Sequence, residues 1–336
     1  MTAHKKYKIG VVGVGVWGCH SLERELLNTN MCELKSVCGG DEFGAGFYDD
    51  ALAGAKAYAK ELNAEFISSA EDIVNDPEID IVSVMSAPSV KSQWLIQALR
   101  NDKYVVTDKP LGLTFDDAMR VCEAERNSKA HGFMLAGYHI RPAVAELLSL
   151  IAQGRLGEVK AVSIRLNFTG GIFQGFNPTK RWREEIPGGE SVTIGAHGLI
   201  TAMKLVGAPV EDVFQIRKND FYREYRAVGA DDYAIYNVRF TNGAVANISV
   251  GRLPYRIPNE DISIELTGTE GYAQINGTEL KVYPGGETFD GKFNAPELLR
   301  EVFTHFINSI SDKNIKPLTS FDDGLMLQKT FTDYKK

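Results

Sequence analysis

Cysteine is scarce in this chain, with four residues in 336: Cys19, Cys32, Cys38 and Cys122. They show no Cys-x-x-Cys spacing and no histidine pattern suited to zinc, so they read as buried thiols of a reducing compartment, the cytoplasm, and no metal is expected. Long hydrophobic runs are also missing. Nothing approaches the roughly 20 apolar residues that span a bilayer. Residues 1–8 are polar and lack the apolar core of a signal peptide, so neither a membrane span nor a leader is expected. Blocks of lysine or arginine are absent, and the net charge of −7 disfavours nucleic acid or an anionic membrane surface as a partner. Internal repeats and low-complexity segments are absent too. What remains is 44% hydrophobic and 24% charged, long enough to bury a sizeable core in two domains, and suited to a small polar partner.

Against this background one stretch stands out, Lys8-Ile9-Gly10-Val11-Val12-Gly13-Val14-Gly15-Val16-Trp17-Gly18. A short apolar run rich in β-branched residues, then glycines, then an amphipathic segment from Trp17 to Asn28, predicts strand, tight turn and helix. The spacing Gly13-x-Gly15-x-x-Gly18 is the fingerprint of a dinucleotide site. Gly13 permits the turn, Gly15 lets the backbone approach a pyrophosphate, and Gly18 lets helix pack on strand, with helix N–H groups aimed at the anion. Val16 and Trp17, inside the same turn, count among the cofactor-binding candidates.

The acid that holds an adenosine ribose is expected near the end of the second strand, Glu33 to Cys38, roughly 20 residues past the last glycine. Gly39-Gly40 stands there, and the first carboxylate is Asp41, which reads either as the ribose ligand or as an ordinary turn aspartate. No Lys or Arg lies between Cys38 and Ala55 to meet a 2′-phosphate, so NAD is favoured over NADP. Short helices and nearly continuous apolar strands then alternate: Asp50 to Leu62, Phe66 to Ser68, Glu71 to Asn75, Ile79 to Val84. This is the pattern of a parallel sheet covered on both faces. Ser86 and Pro88 follow that fourth strand, at the carboxyl edge where open α/β sheets bind ligands. A helix from Lys91 to Arg100 leads to Tyr104-Val105-Val106-Thr107-Asp108-Lys109-Pro110. Lys109, between an aspartate and a proline at another strand end, is placed where cofactor and substrate would meet. Thr114 to Ala130 is predicted helical, and Gly132 to Gly137 closes the first domain at residue 137.

The chain resembles the Gfo/Idh/MocA oxidoreductases, the glucose–fructose oxidoreductase and inositol dehydrogenase family. The resemblance rests on Gly13-x-Gly15-x-x-Gly18, on Asp108-Lys109-Pro110 where the family usually has Glu-Lys-Pro, on Gly154-Arg155-Leu156-Gly157-Glu158-Val159, and on Arg181 to His197; it covers almost the whole chain. It implies a doubly wound α/β Rossmann domain followed by an α+β domain with a large, mostly antiparallel open sheet. It also implies that Lys109 contacts nicotinamide ribose and substrate, and that Asp108, Pro110, Trp182 and Arg183 lie near the cofactor.

The second domain, 138–336, opens with Tyr138-His139-Ile140-Arg141-Pro142 ahead of a helix through Ile151. Tyr138, His139 and Arg141 are substrate-binding candidates; His139 serves equally well as a capping or packing residue. Alternating strands are predicted over Lys160 to Thr169, Glu211 to Lys218, Asp232 to Thr241, Ala244 to Gly251, Asp261 to Thr267 and Tyr272 to Tyr283, with an Asn242-Gly243 hairpin turn. The resemblance implies homodimers or homotetramers through the open face of this sheet, for which Phe214, Tyr233, Ile235 and Tyr236 are apolar candidates. Helices are predicted over Pro296 to Ser311 and from Phe321 to about Tyr334, the last packing back on the first domain.

In the family a helix carries Asp-x-x-x-His, two side chains one turn apart on one face. His197 matches the histidine, Thr193 stands at the aspartate, and Ile200 stands where a second acid is usual. Threonine offers only neutral hydrogen bonds where a carboxylate would raise basicity. Glu190 either replaces the missing carboxylate or is solvated near the helix start. The resulting expectation is an NAD(P)-dependent oxidoreductase for a secondary alcohol or ketone of a sugar, cyclitol or polyol. His197 is the expected general base, Lys109 polarises the developing alkoxide and Thr193 orients a substrate hydroxyl. The alternatives are a glycosidase or lyase using NAD without net redox change, and a non-catalytic regulator binding nucleotide or sugar.

Overall fold

The computed structural model describes residues 6–13, 19–39, 49–86, 88–169, 189–227, 229–255 and 262–332. The chain divides into two compact units, Met1–Leu135 with Asn294–Gln328, and Ala136–Phe293 with Lys329–Lys336. The first unit ends at Leu135, so Gly137 belongs to the second rather than closing the first. The return to the first unit, expected of the last helix, begins earlier, at Asn294.

In the first unit the strands are β1 (Tyr7–Val12), β2 (Cys32–Cys38), β3 (Glu65–Ile67), β4 (Ile81–Val84), β5 (Tyr104–Asp108) and β6 (Gly132–Leu135). They form one parallel sheet in the order β3-β2-β1-β4-β5-β6, the doubly wound Rossmann order. The helices between them are α1 (Cys19–Asn28), α2 (Asp49–Glu61), α3 (Ala70–Asn75), α4 (Pro88–Arg100) and α5 (Phe115–Arg126). The continuous apolar runs explain the arrangement: Val11, Val12, Ile81, Val82, Val84 and Val105 are all fully buried, as strands covered on both faces require.

The returning segment covers the β6 side. Along α10 (Ala295–Ser311), Phe306 stacks on Phe133 with ring centroids 5.7 Å apart, and Ser309 Oγ lies 2.8 Å from His131 Nε2. Arg300 donates to Glu25 on α1 at 3.0 Å. Ahead of α11 (Phe321–Thr332), Met134 N donates to Thr319 O at 3.1 Å, extending the sheet edge.

The second unit holds an eight-stranded sheet in the order β14-β13-β12-β11-β7-β10-β9-β8. Its strands are β7 (Val159–Thr169), β8 (Val210–Lys218), β9 (Tyr233–Phe240), β10 (Val245–Leu253), β11 (Ile262–Gly268), β12 (Tyr272–Asn276), β13 (Glu279–Tyr283) and β14 (Glu287–Asp290). All neighbours are antiparallel except β7 and β10. The expected single strand from Tyr272 to Tyr283 is instead a hairpin, because Asn276-Gly277, with Gly277 at φ 60°, turns the chain between β12 and β13. Helices α6 (Pro142–Ala152), α7 (Glu190–Thr193), α8 (Gly195–Val206) and α9 (Arg223–Ala227) complete the unit. The expected helix through Thr193 and His197 is broken at Ile194, where His197 N bonds to the Ile194 carbonyl three residues back. Of the apolar candidates on the sheet, Phe214 is 52% exposed, whereas Tyr236 is fully buried and belongs to the core. Among the described residues no helix is long and apolar enough to cross a membrane.

Glu125, near the end of α5, accepts from Gly132 N at 2.7 Å. Burial pushes its carboxyl up to about 7, against the opposing hydrogen bond from Gly132. The native state therefore binds more protons than the unfolded state between the ordinary carboxylate value and about 7, and stability falls as pH rises through that window. Burial lowers the neighbouring His131, which contributes a slope of the opposite sign below its ordinary value. Glu125→Gln removes only the first term. The melting temperature of the wild type minus that of E125Q is expected to fall as pH rises from about 4.5 to 7 and to level off above, measured by calorimetry.

Candidate active site

In the first unit the candidate residues lie at the carboxyl edge of the parallel sheet, where β1 and β4 are neighbours and the connections diverge. Gly13 follows β1 with φ +83°, and a Cβ there would lie 2.7 Å from Ser86 Oγ and 2.8 Å from Ser86 N. Only glycine fits this approach. The strand ends are laced by Gly13 N to Cys38 O at 3.0 Å and Met85 N to Val12 O at 2.9 Å. Ser86 is buried, with its hydroxyl 3.3 Å from the Val12 carbonyl, so it supports the turn from below. Pro88 is the first residue of α4, where its missing N–H costs little. A glycine with this φ at the strand-order reversal is the cradle a dinucleotide backbone needs, so the residues present fit that group. Gly15, Val16, Trp17, Gly18 and Asp41 lie outside the described residues, as do Trp182 and Arg183.

Lys109 stands immediately after β5, half-buried and joined to Pro110 by a cis bond. Its neighbour Asp108 is anchored from beneath. Lys91 on α4, 1% exposed, donates from Nζ to the Asp108 carbonyl at 3.0 Å and pairs with Asp108 Oδ1. Thr107 Oγ1 donates to Val84 O at 2.7 Å, holding the ends of β5 and β4 together. Beyond Lys109, a capping box between Thr114 and Asp117 fixes the start of α5. Asp108 therefore acts first as the fixed point of the Asp-Lys-Pro turn. Nothing in the sequence pattern singled out Lys91, since a lysine within a helix reads as solvated.

In the second unit the candidate residues lie on the segment that opens the unit and on α8. Gly137, with φ +87°, donates its N–H to His197 Nδ1 at 3.1 Å. A Cβ at Gly137 would lie 2.7 Å from Ile200 Cγ2, and Ile200 is fully buried. Position 200 thus serves packing beneath Gly137. Tyr138 N donates to Thr201 Oγ1 at 2.8 Å, and Thr201 Oγ1 donates to the His197 carbonyl at 2.7 Å. The Tyr138 ring stacks on His197 with centroids 5.1 Å apart and planes at 22°. Arg141 places its guanidinium carbon 4.1 Å from the Tyr138 ring centroid. Three of the expected residues, Tyr138, Arg141 and His197, are therefore one stacked group, and Thr193 and His197 are both half-buried. His139, a candidate for substrate binding or for packing, is buried at 6% exposure.

Glu190 does not replace the missing carboxylate. It is fully buried, and its Oε1 accepts from Arg252 Nε at 2.7 Å and from the Tyr225 hydroxyl at 2.5 Å. The start of α7 is held by Asp231, whose carboxylate accepts from Gly189 N at 3.1 Å and from Ser191 N and Oγ at 2.6 Å each. Burial raises the Asp231 carboxyl above its ordinary value, against the Ser191 hydrogen bonds that pull it down.

Residues 7–135 match the family described as oxidoreductase family, NAD-binding Rossmann fold, and residues 144–274 match the GFO/IDH/MocA C-terminal domain. The chain belongs to the GFO/IDH/MocA family. Its curated relatives include a D-xylose dehydrogenase of Paenarthrobacter nicotinovorans, 27% identical over 64% of this chain and 58% of that protein. A scyllo-inositol 2-dehydrogenase (NAD(+)) of Bacillus subtilis is 28% identical over 79% of this chain and 72% of its own length. The matched region thus spans little more than half of the first relative and almost three quarters of the second. Among solved structures, levoglucosan dehydrogenase in complex with NADH and L-sorbose superposes with a TM-score of 0.81 at 20% identity, covering 96% of this chain and 94% of its own. An oxidoreductase domain protein from Kribbella flavida gives 0.83 at 18% identity, with 98% and 97% covered. At these identities the structures establish a shared GFO/IDH/MocA fold.

Two substitutions test the candidate residues of the first unit. Lys91→Met keeps the apolar stem but leaves Asp108 without its donor, an expected cost of about 1–3 kcal/mol in urea unfolding. An unchanged midpoint would show that the pair does not hold the turn. Gly13→Ala is expected to cost about 1–3 kcal/mol from backbone strain alone and to weaken NADH binding measured by fluorescence.

Proposed function

We propose that this protein is an NAD(P)-dependent oxidoreductase acting on a secondary alcohol or ketone of a sugar, cyclitol or related polyol. The observation that carries the reading is Lys109, held after β5 by the Lys91–Asp108 pair on the ligand-binding edge of a family Rossmann sheet. The names of the relatives, D-xylose and scyllo-inositol dehydrogenases, agree in substrate class. A bound nicotinamide dinucleotide would supply the hydride acceptor or donor. The chain's own residues do the rest: Gly13 admits the cofactor backbone, Lys109 presents a cationic Nζ that stabilises charge on the reacting oxygen, and Tyr138 and Arg141 form one wall beside His197. Thr193 orients a substrate hydroxyl with a neutral hydrogen bond.

NAD is the proposed cofactor, because the stretch from Cys38 to Ala55 contains no lysine or arginine for a 2′-phosphate. A homodimer or homotetramer through the second unit's sheet and a cytoplasmic location belong to the same proposal, the former on the exposed Phe214.

The test begins with fluorescence titration of protein stripped of nucleotide. NADH is expected to bind at least about tenfold more tightly than NADPH; the reverse order overturns the NAD assignment, and binding of neither overturns the oxidoreductase reading. A screen of sugars and polyols with NAD follows. On any substrate found, Lys109→Ala is expected to lower kcat/KM by about 10²–10³-fold. Product formed without net change in nicotinamide absorbance would instead identify transient oxidation within a cleavage or elimination.

A further inference from the structure

Helix α7 has four residues and too few internal hydrogen bonds to hold its own shape, yet buried polar groups from several other parts of the second unit converge on it. Glu190 Oε1 accepts from Arg252 Nε on β10 at 2.7 Å and from the Tyr225 hydroxyl on α9 at 2.5 Å. The Asp231 carboxylate takes the Ser191 N–H and hydroxyl, and its carbonyl accepts from Glu190 N at 2.9 Å. The Tyr236 hydroxyl on β9 donates to the Ser191 carbonyl at 2.6 Å, and a Cβ at Gly195 would lie 2.7 Å from that same hydroxyl. Tyr236 thus sits against the chain on both sides of the break at Ile194.

Such a cluster is a poor way to gain stability. Glu190, Ser191, Tyr225 and Tyr236 are fully buried, and Glu190 Oε2 has no hydrogen-bond partner among the described residues. Desolvating a carboxylate and a guanidinium is costly, their attraction offsets it only in part, and apolar side chains of similar volume often serve a fold as well or better. What a polar cluster does supply is a single geometry, because each hydrogen bond fixes a direction as well as a distance. Here it fixes the backbone of α7 through Glu190 and Ser191. The other residues of the helix, Val192 and Thr193, are half-buried, and of these only Thr193 has a hydrogen-bonding side chain.

We infer that Glu190, Ser191 and Tyr225, with Arg252, Asp231 and Tyr236, are positioning residues that hold Thr193 in one orientation toward a substrate hydroxyl. The contact with substrate rests on the oxidoreductase reading above, whereas the placement of Thr193 does not. The cluster acts through a backbone of four residues, so a loss at its buried end displaces Thr193 although no member of the cluster touches the ligand. A neutral hydroxyl discriminates by direction where a charge would act at a distance, so its contribution depends on being held. Recognition at this position is therefore carried by the cluster and the threonine together.

Tyr225→Phe and Ser191→Ala each delete one side-chain hydrogen bond of the cluster and keep its packing. The first test needs no substrate. With threonine γ2 methyls labelled with carbon-13, the Thr193 signal is identified by its loss in Thr193→Val. At least one of the two variants is expected to shift or broaden this signal while that of Thr107, in the first unit, stays in place. A Thr193 signal unmoved in both folded variants overturns the inference, as does a change shared equally by Thr107, which would mark general loosening. The second test is a double-mutant cycle on any substrate found. Each variant is expected to lower kcat/KM by about tenfold in the wild type and by less than about twofold in the Thr193→Val background, where the hydroxyl it places is already gone. Equal losses in the two backgrounds show a merely structural role and overturn the inference. Failure to find any turned-over sugar or polyol counts against the functional reading, and the methyl signals still decide whether the cluster holds Thr193.

Discussion

A charged amine buried in a protein interior must be matched by acceptors or the fold loses several kcal/mol. Lys91, 1% exposed on α4, is matched by both the side chain and the carbonyl of Asp108. The candidate cofactor edge of the first unit depends on this pairing. It joins the helix after β4 to the end of β5, so the turn bearing Lys109 is fixed by the same elements that build the sheet.

The second unit uses carboxylates where the first uses an amine. Asp231 and Asp232 are consecutive, and each closes the start of a short helix from a distance. Asp231 accepts from Gly189 and Ser191 at α7, and Asp232 accepts from Phe221 N and Tyr222 N at 2.8 Å each ahead of α9. Glu190, between these caps and β10, is neutralised by Arg252. Such short helices have few hydrogen bonds of their own, so they persist through these caps and through packing. The segment leading into α8 is thus held by acids that are themselves buried.

The sheet of the first unit was legible because its strands are short apolar runs between helical segments, a pattern that fixes class and order together. The position of Lys109 at the end of β5 was legible from the apolar strand before it and the proline after it. The break at Ile194 was not, because helical periodicity runs through it from Glu190 to His197. Lys91 was not singled out, and the two readings of Glu190, a replacement carboxylate or a solvated acid near the helix start, both missed its buried ion pair, since burial of a charge is decided by a partner distant in sequence: Asp108 is 17 residues from Lys91, and Arg252 is 62 from Glu190. The turn at Asn276-Gly277 carried the same hairpin signal as Asn242-Gly243 and was hidden within a longer alternating run. The parallel pairing of β7 with β10 leaves no local trace at all, because register between strands so far apart is set by the whole sheet.

The late return of Asn294–Gln328 to the first unit has a consequence for biosynthesis. A nascent chain emerges from its N-terminus, so β6 is made long before α10 and α11 exist to cover it. Until the final segment appears, Phe133 and His131 lack Phe306 and Ser309, and the edge of β6 lacks its hydrogen bond to Thr319. The β7 strand waits as well, since both of its neighbours, β10 and β11, are encoded at least 70 residues downstream. Each unit is completed only by segments made long after its first strands. The chain is therefore committed to late, long-range assembly, with an exposed sheet edge that a chaperone would meet first.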